Sequence, residues 1–253
     1  MKDFKIFLDL LSVEIKYSYG HLYWDRCGQT VLDIETQCDG WFSARDVKNV
    51  GRLENPEKSM NLVFNDSAFN VSTEKPEELD NNLIIEEVQK IWKIIRANFG
   101  LEEYNRIGCR FHFLKPTSSV DESEKLIKNS ELNVKIPDQL KVPHYDLNIR
   151  QVITIFEKED MEYRVELKGI ARSQSIDPSS LYAGRSETLS KNQKKYRLLK
   201  MKQLKEYSAN PMYAVMLDID CVKYNPEQAP IEEYIKKQID VVRNDFLPIL
   251  EKL

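Results

Sequence analysis

No stretch of this sequence approaches the run of roughly 18 apolar residues that a membrane-spanning helix needs, so such a span is not expected. The segment Met1 to Leu11 alternates charged and apolar residues without a small-residue cleavage site, which predicts neither a signal peptide nor an anchor. Glycine and proline are scarce, at 8 and 10 of 253 residues, which argues against a fibrous or disordered chain. Four cysteines, Cys27, Cys38, Cys109 and Cys221, lie far apart with no C-x-x-C pair, and each falls at an apolar-periodic position. That pattern predicts reduced, core-packed thiols and a cytoplasmic protein with no membrane association. A basic excess is also missing: the net charge is −4, so any nucleic-acid contact has to be local. Catalytic signatures are absent too. The three histidines, His21, His112 and His144, stand in no H-E-x-x-H or triad-like context, and there is no G-x-S-x-G and no P-loop. No cofactor and no catalytic residue are therefore expected.

What is present is the make-up of a folded α+β protein, with 42% hydrophobic, 10% aromatic and 31% charged residues. From Ser12 to Tyr19, Val13, Ile15, Tyr17 and Tyr19 alternate with Glu14, Lys16 and Ser18, the two-residue period of a half-buried strand. Trp24, Cys27, Val31, Ile34 and Cys38 then recur at helical spacing, predicting an amphipathic helix over Leu22 to Gln37 that stops near Gly40. Met60 to Phe64 and Phe69 to Ser72 read as strands around the turn Asn65-Asp66-Ser67. Ile84, Val88, Ile91, Trp92, Ile95 and Phe99 form a long helical stripe closed by Gly100. Arg106 to Leu114 alternates again. Lys115 to Pro143 is polar and punctuated by prolines, the composition of a linker or long surface loop.

Beyond it, Leu147 to Phe156 and Glu162 to Ser173 form a predicted hairpin around Lys158-Glu159-Asp160. A helix is expected over Thr188 to Tyr207, a strand over Tyr213 to Lys223, and a final helix with Ile231, Ile235, Ile239, Val242, Phe246 and Ile249 on one face. Both halves thus run hairpin, polar connection, long helix, strand. The expected architecture is α+β with a mainly antiparallel sheet: two similar ββαβ-like halves over residues 1–115 and 147–253, a linker over 116–146, and a C-terminal helix.

Two segments carry a family resemblance. Arg106-Ile107-Gly108-Cys109-Arg110 after a long helix, and Leu217-Asp218-Ile219-Asp220 before a terminal helix holding Asp245-Phe246, resemble a sporadically distributed family of uncharacterised bacterial proteins of about 250 residues. That family has an Arg-Ile-Gly-x-Arg strand near mid-chain and a Leu-Asp-Ile-Asp strand near the end. This chain has Phe111-His112-Phe113 where the family has Tyr and Asn soon after the second Arg. The family's patchy occurrence implies an accessory system, such as defence or toxin regulation, and the resemblance implies no catalytic residues.

Four charged constellations are candidates for function. Arg106, Arg110 and His112 project from one side of their strand, where guanidinium forks suit a phosphate or carboxylate; an ordinary ion-paired sheet face explains them as well. Asp218 and Asp220 share a face and could contribute to a Mg²⁺ site only with a third carboxylate; pairing with the Arg106 row accounts for them without metal. Glu162, Arg164, Glu166, Lys168 and Arg172 line one face of the long hairpin, as Glu14 and Lys16 do on the first strand. Together with the other rows they could line a charged tunnel like that of the triphosphate tunnel enzymes, although the E-x-E-x-K strand of those enzymes is absent. Finally, Lys191, Lys194, Lys195, Arg197, Lys200, Lys202 and Lys205 make a basic run with no acid between them. On a helix this is a positive ridge for a phosphate backbone or an acidic protein, or a solvated face.

These features point to a non-enzymatic interaction or regulatory module that meets a larger protein partner. Nucleic-acid regulation through Lys191 to Lys205 is the first alternative, and a metal-dependent phosphate or nucleotide enzyme the second.

Overall fold

Leu11, Val13 and Ile15 point to one side of strand β1 (Phe7–Lys16) and are buried, while Glu14 and Lys16 point to the other. The same division continues over most of the sheet and decides the architecture, although Leu114, Ala214 and Met216 form a small buried apolar cluster on the charged side. It is seen in a computed structural model that describes residues 5–18, 20–43, 50–74, 81–132, 151–158, 160–172, 212–226 and 230–253. After β1 come helix α1 (Tyr23–Gln37), the short β2 (Phe42–Ser43), β3 (Gly51–Asn55), β4 (Met60–Phe64), β5 (Ala68–Thr73), α2 (Asn81–Phe99), β6 (Arg106–Thr117) and α3 (Val120–Lys128). The chain continues with the hairpin β7 (Gln151–Lys158) and β8 (Met161–Arg172), then β9 (Met212–Tyr224) and α4 (Ile231–Val241). A π-helical turn (Val242–Phe246) leads into α5 (Leu247–Glu251).

Among the described residues, nine strands join one sheet in the order β2-β3-β4-β5-β1-β6-β9-β8-β7, with every neighbouring pair antiparallel. The protein is thus α+β, with an antiparallel sheet and a C-terminal helix, as the sequence predicts. The stretches read as two halves share this sheet and one continuous buried cluster. The strands pair differently in the two. β5 and β6 both lie antiparallel to β1, so they are parallel to each other, and the chain crosses from one to the other by way of α2. β8 and β9 are direct antiparallel neighbours.

The helices pack on the side that carries Val13, Ile107, Cys109, Phe111, Val165, Leu217 and Ile219, all buried. Trp92 of α2 stacks on Phe69 of β5 at 5.8 Å and on Tyr17 at 6.1 Å. Tyr234 of α4 donates from its hydroxyl to the Cys221 carbonyl at 2.9 Å. Phe246 meets Tyr163 at 5.3 Å and Phe156 at 5.6 Å. Gly100, at φ 66°, ends α2 in the left-handed conformation that favours glycine. Cys109 and Cys221 face each other across β6 and β9 in this core, both as free thiols. Cys38 is buried and free, and Cys27 is half-buried.

Several boundaries and faces differ from expectation. Helix α1 forms with Cys27, Val31, Ile34 and Cys38 of the stripe packed on the core, but Trp24 is 70% exposed and Tyr23 and Thr30 are buried as well. Thr30 satisfies its hydroxyl by donating to the Arg26 carbonyl at 2.9 Å, which lets a polar residue sit inward beside Val31 of the stripe. The strands β2 and β3 carry no strong period. β3 is set by its pairing with β4, where only glycine fits at 51: a Cβ there would fall 2.1 Å from Cζ of Phe64. The segment expected as a linker is ordered in its first part: β6 runs on to Thr117, and α3 follows. Ser119 caps α3, accepting from the Glu122 amide at 3.2 Å, while the Glu122 carboxylate accepts from the Ser118 amide at 2.7 Å and its hydroxyl at 2.6 Å. In the last helix Leu250, not Ile249, completes the buried row. Val242, Phe246 and Leu250 are spaced by four, which drifts about 40° per step in an α-helix; the wider i→i+5 turn takes up that drift.

The expected helix over Thr188 to Tyr207 and the rest of the linker stretch, 133–146, lie outside the described residues. None of the described helices is long and apolar enough to cross a membrane.

Candidate functional site on the polar sheet face

The side of the sheet turned away from these helices carries a connected set of charges on β1, β6, β9 and β8. Alternation alone puts them there, because Arg106, Arg110 and His112 have the opposite parity to Ile107, Cys109, Phe111 and Phe113. The register then decides which charges meet. Arg110 lies directly across from Asp220, and His112 from Asp218. On the next strand Arg164 is across from Asp220 and Glu166 from Asp218.

The strongest contact is diagonal. Arg110 donates from Nε to Asp218 Oδ1 at 2.8 Å and from Nη2 to Oδ2 at 2.6 Å, the bidentate fork that guanidinium and carboxylate geometry allows. His112 Nε2 stands 3.3 Å from the same Oδ1 but out of line for a hydrogen bond, and that buried nitrogen makes none. Lys168 Nζ reaches Asp218 Oδ2 at 3.8 Å and donates to Glu166 Oε1 at 2.8 Å. Gln151 Nε2 on β7 also donates to Glu166 Oε1 at 2.8 Å, and Arg164 approaches Oε2 at 3.2 Å. At the other end Arg106 is bonded to Glu14 and lies 4.0 Å from Asp220. Asn70 of β5 donates to the Ser12 hydroxyl at 2.7 Å beside this group.

These charges form two layers. The Asp218 and Glu166 side chains are 2% and 6% exposed, whereas those of Arg110 and Arg164 are 44% and 39% exposed. Buried carboxylates therefore sit beneath guanidinium groups that reach toward water. The electrostatics follow from this layering. Burial by itself pushes the Asp218 carboxyl up, but Arg110 and His112 outweigh it and hold it well below the usual carboxylate range. Asp220 has no such clamp. Burial raises its carboxyl above the ordinary value, and the pull of Arg106 and Arg110 offsets only part of that.

The residues singled out from sequence are thus brought together in part. Arg106, Arg110, His112, Asp218, Asp220, Glu14, Arg164, Glu166 and Lys168 share one face. Lys191, Lys194, Lys195, Arg197, Lys200, Lys202, Lys205 and His144 lie outside the described residues, as does the side chain of Arg172. Both oxygens of Asp218 are engaged by Arg110, and among the described residues no group of three or more His, Cys, Asp and Glu side chains could hold a metal ion. Among the described residues, the charged rows lie on a sheet whose order ends at β2 and β7 rather than closing on itself. Gln151, Ser12 and Asn70 were not expected as members; the strand register brings them in, across the β7–β8 hairpin for Gln151 and between segments 58 residues apart for Ser12 and Asn70.

Compared with known proteins, the chain matches no protein-family model and no curated protein.

Proposed function

We propose that this protein is a non-enzymatic interaction module of a bacterial accessory system, and that the charged sheet face docks an acidic segment of a larger partner protein. The observation that carries the reading is the layering: Arg110 and Arg164 use part of their donor set on buried acids and turn the rest outward. A guanidinium held from below loses little freedom when it accepts a second carboxylate, so binding there costs little ordering entropy. A protein segment fits this face better than a nucleic acid. The cations alternate with Glu14 and Asp220, whose side chains are 34% and 31% exposed and would repel an unbroken row of phosphates.

The test is affinity capture from native bacterial cells with the wild-type chain and with an Arg164→Gln, Lys16→Gln double variant. Both substitutions leave the Arg110–Asp218 clamp intact. The reading expects a stoichiometric protein, held by the wild type, that is released by raised salt and lost from the variant. Equal recovery by both proteins, or no stoichiometric protein with either, would remove it. Capture of nuclease-sensitive material in its place would favour the nucleic-acid alternative.

A further inference from the structure

Among the described residues, the sheet ends differently at its two edges. One edge is β2, only two residues long. The other is β7, eight residues of Gln-Val-Ile-Thr-Ile-Phe-Glu-Lys paired to β8 without a break in register. An edge strand offers a row of unpaired N–H and C=O groups, and proteins usually blunt such edges with a short strand, a proline, a bulge or an inward charge. From Val152 to Phe156 β7 has none of these. Ile153, Ile155 and Phe156 are instead 47%, 56% and 37% exposed, the largest cluster of exposed apolar side chains along any described strand.

We propose that β7 pairs antiparallel with β7 of a second copy of this chain, about a twofold axis through Thr154, so that the two sheets continue into one. The argument is the strand's complementarity to itself. A twofold axis perpendicular to the sheet keeps like faces together, so it opposes only residues that point the same way. With Thr154 on the axis, Ile153 opposes the partner's Ile155 on the charged face, and Val152 opposes the partner's Phe156 on the core face. Gln151 then meets the partner's Glu157 as donor and acceptor. Moving the axis to Ile155 sets Ile153 against Glu157 and Val152 against Lys158. Moving it to Ile153 sets Gln151 against Ile155. Only the Thr154 register matches apolar with apolar and polar with polar along the strand. The pairing also places both charged faces on the same side, with the isoleucines between the two Arg164–Glu166 pairs.

The test uses the full chain. Sedimentation equilibrium should give twice the 29.7 kDa chain mass, and an Ile153→Lys, Ile155→Lys variant should sediment as a monomer with unchanged circular dichroism. Cysteine crosslinking fixes the register. Residues opposed across an antiparallel pair lie about 4.5–5.5 Å apart at Cα, within disulfide range. Thr154→Cys should therefore give a covalent dimer on mild oxidation, while Ile153→Cys and the unaltered chain should not. A monomer at every concentration reached, a lysine variant that remains dimeric, or a dimer that Thr154→Cys fails to crosslink would each overturn the proposal. Should the lysine variant fail to fold, the crosslink decides, because Thr154→Cys leaves the apolar contacts in place.

Discussion

Arg110 on β6 reaches past Asp220, the residue directly opposite it, to bind Asp218 on the same strand through two hydrogen bonds of 2.8 and 2.6 Å. The diagonal choice follows from burial. Asp218 is 2% exposed and cannot be left charged without a partner, whereas Asp220, at 31%, keeps some contact with water.

Removing the clamp should therefore cost more than an ordinary surface ion pair. Arg110→Ala is expected to destabilise the protein by about 3 kcal/mol, at the low end for breaking a buried pair because Lys168 and His112 remain beside Asp218. Its pH dependence has a definite sign. In the wild type the Asp218 carboxyl is depressed, so its contribution is complete above the unfolded value of about 3.9 and is lost as the pH falls below it. In the variant burial is no longer offset by the clamp, so the carboxyl rises and acid relieves the cost. Urea denaturation from pH 7 down to pH 4 should show the difference between the two proteins shrinking. Arg110→Lys should recover part of the loss.

Asp220 predicts the opposite sign. Its carboxyl is raised in the folded state, so its charge opposes folding above that raised value and stops doing so as the pH falls to the unfolded value. Asp220→Asn is expected to raise the melting temperature at pH 7, with the gain fading toward pH 4. A fall in melting temperature at pH 7 would mean that the Arg106 pair dominates instead.

A third buried carboxylate lies on the helix side. Glu87 of α2 accepts from the Trp41 indole N–H at 2.7 Å and from Lys58 Nζ at 2.8 Å, tying the helix to the turn between β3 and β4. Burial, with Glu87 adding to it, pushes the nearby Cys38 thiol up to about 11. Glu87→Leu should cost about 2 kcal/mol by leaving the indole N–H buried without an acceptor. Adding Trp41→Phe should recover part of that cost, a coupling that a double-mutant cycle of denaturation measurements reads directly.

Gln238 of α4 is fully buried, and among the described residues neither end of its side-chain amide has a hydrogen-bond partner. Gln238→Met keeps the volume and removes the polar group. It is expected to raise stability by about 1 kcal/mol in thermal or chemical denaturation.

Much of the fold was legible wherever one face is oily and the other charged. The strands β4, β6, β8 and β9 and the stripe of α2 follow from period alone, because burial on one side forces alternation. β3 was not legible, since Gly51 and Asn55 break its apolar alternation and the strand is set by its pairing with β4, where the Phe64 ring lies over Gly51. α3 sits in a polar stretch, yet Ser119-Val120-Asp121-Glu122 carries the capping signature that would have found it. The stripe of α1 packs inward as its spacing predicts except at Trp24, and Thr30 joins it because its hydroxyl is satisfied within its own helix. The site was legible as rows of charges on strands. Which row meets which is set by strand order and register, and neither is written in local pattern; the Arg110 choice of Asp218 over Asp220 needs the burial of the finished sheet.

The claim that the charged sheet face is where a partner docks is tested most directly by site-specific photocrosslinking in native cells. A photoreactive residue placed at Lys16 or Arg164 samples that face, and one at Leu32 samples the exposed side of α1. The account predicts a discrete crosslinked protein from positions 16 and 164 and none from position 32. Crosslinks from position 32 alone would contradict it.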